Sequence, residues 1–123
     1  IEALRLRRKI GQSAQAIDDL AGLARVALAQ GRVSKALAYA EEILTWIEDH
    51  GIVGVEYPLR VYLTCADVSV SVGQAARAAS IIRTAHILLL EQASKISDEA
   101  TRQAFLENGP LHHQVRERIN SLD

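Results

Sequence analysis

Two short stretches of this chain echo one another at a fixed distance. Ala29-Gln30-Gly31-Arg32-Val33-Ser34-Lys35-Ala36 is answered by Ser71-Val72-Gly73-Gln74-Ala75-Ala76-Arg77-Ala78, each with a glycine and, five residues later, an alanine. The glycines lie 73 − 31 = 42 residues apart. Apolar, alanine-rich stretches of helical periodicity flank both. A helix–turn–helix unit recurring at such a period cannot bury its apolar face alone, so successive units must stack into a helical solenoid. Arrays of this kind offer extended surfaces to partners. The repeat therefore points to binding or scaffolding rather than to chemistry.

The rest of the sequence reads as an all-α chain of about seven helices. Residues 1–10 carry Leu4, Leu6 and Ile10 among Arg5, Arg7, Arg8 and Lys9, with Gly11 as the expected stop. A second helix runs to Gln30, its stripe Ile17, Leu20, Leu23, Ala24, Ala27 and Leu28. Gly31 ends it, and Ser34 is the expected cap of the next, which reaches about Asp49. Residues 50–57, with Gly51 and Gly54, read as an irregular loop, and Pro58 suits the first position of a new helix. Residues 68–72 alternate like a strand, but the repeat makes them the end of that helix. A long helix follows Gly73. Ser97, before Asp98 and Glu99, is the expected cap of another, and Pro110 opens the last after an Asn108-Gly109 turn.

Composition narrows the function. The 123 residues suit one domain, and 49% apolar residues with only 4% aromatics imply a core of aliphatic and alanine side chains. Fourteen basic against fifteen acidic residues leave a formal charge of −1, which argues against nucleic acid as a partner. A single cysteine makes no internal disulfide and fits a reducing, cytoplasmic setting. No uncharged apolar run is long enough to span a membrane, so no membrane role is expected. The start at Ile1 rather than Met suggests a piece of a longer protein.

These residues resemble tetratricopeptide repeats, whose paired helices carry a large apolar residue, a Leu-Gly or Leu-Ala pair, a turn glycine and a small alanine early in the second helix. The first unit supplies Leu20, Leu23-Ala24, Gly31 and Ala36; the second supplies Tyr62, Cys65-Ala66, Gly73 and Ala78. The usual period is about 34; the additional residues here fall in the 50–57 loop and its flanking helix end. The resemblance implies a right-handed superhelix. It divides the chain into a remnant helix at 1–11, repeats at 15–50 and 57–95, and a degenerate terminal pair at 97–122. From Tyr62-Leu63-Thr64-Cys65 through Leu111-His112 the chain is also similar to the terminal repeats of large bacterial proteins that join such an array to a STAND-type signalling ATPase or an output domain. The implied role is a sensor or interaction module in signal transduction. The alternative is a spacer that self-associates, as a homodimer, through helix faces such as that of Leu4, Leu6 and Ile10.

No phosphate loop and no nucleophile elbow is present, so no catalytic residues and no cofactor are expected. His112 and His113 are adjacent, and on a helix neighbouring side chains diverge, so they read as surface or packing residues rather than metal ligands. Cys65 reads as a small buried hydrophobe, His86 as a hydrogen-bonded, half-buried residue, and Trp46 as packing. In tetratricopeptide arrays the first helices form the concave, ligand-holding wall. By repeat position that wall comprises Asp18, Ala21, Arg25, Leu28 and Ala29 in one unit and Arg60, Leu63, Thr64, Asp67 and Val70 in the next. Asp18, Arg25, Leu28, Arg60, Leu63, Asp67 and Val70 are the candidate partner-binding residues, for a protein or peptide segment. Arg25 and Asp67 are expected either to pair with each other or to leave Arg25, with Arg60, free for an acidic group.

Overall fold

The computed structural model describes the backbone from Glu2 to Leu122 and side chains from Ser13 onward. It contains six α-helices and, among the described residues, no strand: α1 Glu2–Ala29, α2 Val33–His50, α3 Pro58–Ser71, α4 Ala75–Ser94, α5 Glu99–Asn108 and α6 Pro110–Asn120. Among these residues no helix is long and apolar enough to cross a membrane.

The two turns that anchor the repeat are the same turn. Gly31 has φ +76° and Gly73 φ +80°, a left-handed conformation that costs glycine nothing. At the first, the Gly31 amide donates to the Leu28 carbonyl at 3.1 Å and the Arg32 amide to Ala27 at 2.8 Å. At the second, Gly73 donates to Val70 at 3.0 Å and Gln74 to Ser69 at 2.8 Å. These bonds satisfy the last carbonyls of α1 and α3. Both helices end, and both of their successors begin, 42 residues apart: 71 − 29 and 75 − 33. The alternating segment 68–72 is helical through Ser71.

Each turn makes an antiparallel hairpin, α1 with α2 and α3 with α4, and the hairpins stack through α3, which packs on both α1 and α2. Small residues set the spacing. Ala24, Ala36, Ala40, Ala66, Ala78 and Ala85 are all buried, so backbones approach closely around Ile17, Ile43, Val61, Val68, Ile82 and Leu89. Each of these larger aliphatic side chains contributes roughly 1.5–3 kcal/mol by leaving water. The backbones of α2 and α4 stay apart. They meet through an ion pair between Glu41 and Arg77, whose hydrogen bond holds the Glu41 carboxyl below its usual range. After α4 the pattern changes. The short α5, without a buried residue, leads into α6, which packs on α3 and α4. Leu111 and His112 share a cleft with Leu59 and Arg60, and Arg118 binds Asp67, so α6 runs parallel to α3. It occupies the place that the first helix of a third unit would take.

Three local expectations are corrected. Gly11 does not end a helix: α1 continues through it, giving six helices rather than seven. A helical glycine costs only about 1 kcal/mol relative to alanine, and residues 12–16 contain no proline to stop propagation. The side chains of Leu4, Leu6 and Ile10 lie outside the described residues. Ser34 is inside α2, whose cap position is Arg32 without a side-chain cap bond, because the glycine turn starts the helix two residues earlier. Asp98, not Ser97, caps α5: its carboxylate accepts from the Thr101 amide at 2.8 Å and from the Thr101 hydroxyl at 2.6 Å, a stronger interaction than a serine would make.

Replacing Ala36 or Ala78 by Leu forces extra volume between hairpin helices. Either change should lower stability by about 1–3 kcal/mol, read as a lower urea midpoint. A midpoint equal to that of the parent chain would show that these contacts are not close.

Candidate functional site

The wall begins with parallel packing of α1 and α3. Asp18 meets the backbone just before α3: its Oδ2 accepts from the Glu56 amide at 2.8 Å and its Oδ1 from the Tyr57 amide at 3.0 Å. Two turns along, Arg25 Nη1 donates to Thr64 Oγ1 at 3.2 Å. The spacings, 57 − 18 = 39 and 64 − 25 = 39, fix one register. The carboxylate also sits at the amino end of α3, where the helix dipole favours negative charge. The loop is pressed home at its other side by Gly54, with φ +91°. A Cβ there would come within 2.9 Å of the Ala14 Cβ, so no larger residue fits without displacement.

Between these helices lies a groove of about 230 Å³ lined by Asp18, Asp19, Arg25, Tyr57, Arg60 and Val61, among others. The Arg60 guanidinium lies over the Tyr57 ring, 5.2 Å from its centroid, in a cation–π contact. Thr64 is buried and doubly used: its hydroxyl donates to the Arg60 carbonyl at 2.8 Å and accepts from Arg25. Thus Arg25 is held by an uncharged oxygen and Arg60 by an aromatic face. Among the described residues neither guanidinium has a carboxylate partner in the structure, and both reach the groove.

The other wall residues are distributed differently. The expected Arg25–Asp67 pair does not form. Asp67 Oδ1 instead accepts from Arg118 Nη1 at 2.7 Å, because α6 brings a closer cation alongside α3. Leu63, 4% exposed, lies behind the wall in the core, since α3 is packed on several sides. Leu28 is half-buried against that core, and Val70 stands exposed at the far end of α3. Sequence reasoning missed Tyr57, Asp19 and Val61 as groove residues. Tyr57 immediately precedes Pro58, and its position follows only once the loop is folded back on α1.

The remaining singled-out residues have their own engagements. Cys65 is fully buried, and burial pushes its thiol up to about 12. Tyr62 beside it is also raised, by the same desolvation. His112 donates from Nδ1 to the Phe105 carbonyl at 2.7 Å and packs on that ring, tying α6 to α5. His113 instead lies 3.2 Å from Glu117 one turn on. Trp46 is half-buried, packs against the core and stacks on His50, whose Nδ1 donates to the Trp46 carbonyl. His86 is half-buried.

Three outcomes check this geometry. Asp18→Ala removes both loop bonds and should cost about 1–2 kcal/mol, with faster proteolysis at residues 51–57; unchanged cleavage would show that the carboxylate does not hold the loop. The Cys65 thiol should resist a water-soluble disulfide reagent until the chain unfolds. Its folded pKa exceeds the ordinary 9.0, so above about pH 9 the unfolded chain loses the proton first and stability falls as pH rises toward 12. Cys65→Ala should flatten this decline, leaving the part due to Tyr62; an unaltered slope would contradict burial of the thiol.

The chain matches no protein-family model, no curated protein and no solved structure.

Proposed function

We propose that this chain is a non-catalytic binding module of tetratricopeptide-like units that holds a protein or peptide segment in the α1–α3 groove. The observation that carries the reading is the state of the two arginines. Arg25 and Arg60 enter one groove from adjacent helices, braced by Thr64 and Tyr57 but not neutralised. A guanidinium held in this way donates to a carboxylate without first breaking an internal ion pair. Ala21 and Val61 provide apolar lining between the charges. Asp19 and Glu56 at the rim disfavour a polyanion such as nucleic acid, whereas a segment with one acidic side chain among apolar ones suits the mixture. Asp18 and Asp67 serve the fold, through the loop and through Arg118. In the setting suggested by the terminal-repeat resemblance, the groove would read a trigger or partner for a larger cytoplasmic signalling protein of bacterial type.

The test is selection of displayed random peptides on the immobilised chain. Enriched peptides should carry an Asp or Glu within an apolar context. Their affinity should fall about tenfold or more, equivalent to about 1.4 kcal/mol, for the Arg25→Glu, Arg60→Glu double variant with unchanged helicity. Equal binding to parent and variant would exclude this groove.

A further inference from the structure

The arginine groove has a neighbour. Across Tyr57 and Arg60 a second cleft, of about 180 Å³, lies between α3 and α6. The two clefts share Glu56, Tyr57 and Arg60, and the second adds Pro58, Leu59 and Leu111, with His112 and Gln92 beside them. Leu59 is buried and Leu111 half-buried. Both clefts are held open by fixed walls. Asp67 and Arg118 pair seven residues, two helical turns, beyond Arg60 and Leu111 (67 − 60 and 118 − 111), which pins α6 on α3. His112 is tied through Nδ1 to the Phe105 carbonyl and packs on the Phe105 ring. On the other side Asp18 and Arg25 pin α1.

Repeat position explains why the partition between the clefts is an available cation. Arg60 is the counterpart of Asp18, since 60 − 18 = 42. Asp18 is consumed by two backbone amides before the next helix. The Arg60 guanidinium, among the described residues, donates no hydrogen bond and keeps only the Tyr57 ring. Its donors are therefore available at the boundary of both clefts.

We infer that the two clefts are adjoining subsites for one extended peptide segment, its acidic side chain at Arg25 and Arg60 and an aliphatic side chain in the α3–α6 cleft. This presupposes the binding role proposed for the α1–α3 groove and extends it to a residue spacing. Charge decides the assignment. Glu56 borders the second cleft, whose one fully charged cation is the shared Arg60, and the His112 Nδ1 is committed, so a second acid gains nothing there. An aliphatic group gains by covering Leu59 and Leu111. Apolar cavities of about 150 Å³ hold a benzene-sized molecule, so one such side chain fits. Grooves on either side of a helix are separated by about one interaxial distance, roughly 8–10 Å. An extended chain advances about 3.3–3.6 Å per residue. The acid and the aliphatic residue are thus about two or three positions apart.

The probe is a series of short labelled peptides, each with one Asp in a serine–glycine background and a Leu placed one to five positions away on either side. They are titrated into the full chain by fluorescence anisotropy. Affinity should peak with Leu two or three positions from Asp on one side, about tenfold or more above the peptide without Leu. Leu111→Ser should erase this gain and leave the weaker Asp-dependent binding, with circular dichroism verifying the fold. A photoreactive leucine analogue at the best position should label Leu59 or Leu111 of the parent chain, a readout that needs no variant. Asp-dependent binding indifferent to the position of Leu overturns the second subsite and leaves the arginine groove standing. So does a gain that persists in the folded Leu111→Ser variant, or label confined to other residues. No Asp-dependent binding by any peptide overturns the groove reading and this extension with it.

Discussion

The enclosure of α3 is the constraint on which the structure depends. Six consecutive residues, Val61, Tyr62, Leu63, Thr64, Cys65 and Ala66, are buried, and Val68 and Ser69 continue the run. A helix buried on nearly every side needs neighbours all round it, and α3 has them in α1, α2, α4 and α6. It also needs small or slim side chains and no orphaned polar groups. Thr64 and Ser69 meet the second demand by donating to the carbonyls of Arg60 and Cys65 one turn back. The weak helix propensity of this Val-, Thr- and Ser-rich stretch is offset by that packing. The groove residues then follow. Arg60 and Asp67 are the charged residues of α3 that face outward, and α1 and α6 lie on either side of them.

That geometry decides which charges are used up by the fold. Each acidic residue of the wall that lies near a donor is taken: Asp18 by two loop amides, Asp67 by Arg118. The arginines meet only a hydroxyl and an aromatic ring. Exposed ion pairs contribute about 0–1 kcal/mol, so the value of Arg118–Asp67 lies in setting the register of α6 against α3 rather than in bulk stability. One consequence is that the groove holds both guanidiniums of the wall beside the rim acids Asp19 and Glu56, with no ion pair among these four in the described residues.

The turns were the most legible part of the sequence. Gly31 and Gly73 with their following alanines, Pro58, Pro110 and the glycines of the 50–57 loop are local signals, and local hydrogen bonding settles them. The run of α1 through Gly11 was not legible, because a lone glycine is compatible with both a stop and a continuous helix. The cap at Ser34 failed because the Gly31 turn opens α2 at Val33 with no side-chain cap at all, and the cap at Ser97 because two cap-competent residues lay side by side and the Thr101 contact chose Asp98. The wall was legible in part. Repeat position identified Asp18, Arg25 and Arg60, but the partner of Asp67 depends on where α6 lies, and α6 departs from the repeat. Leu63 was assigned to the surface because the register alone does not reveal how many helices surround α3.

Native-state hydrogen exchange tests the enclosure of α3 most directly. Amides from Val61 to Ser69 should be among the slowest in the chain and should exchange only through global opening. Those of α5, which has no buried residue, should exchange orders of magnitude faster by local opening. Exchange of the α3 amides at rates like those of α5 would contradict the stacked arrangement, and with it the groove that α3 and α1 form.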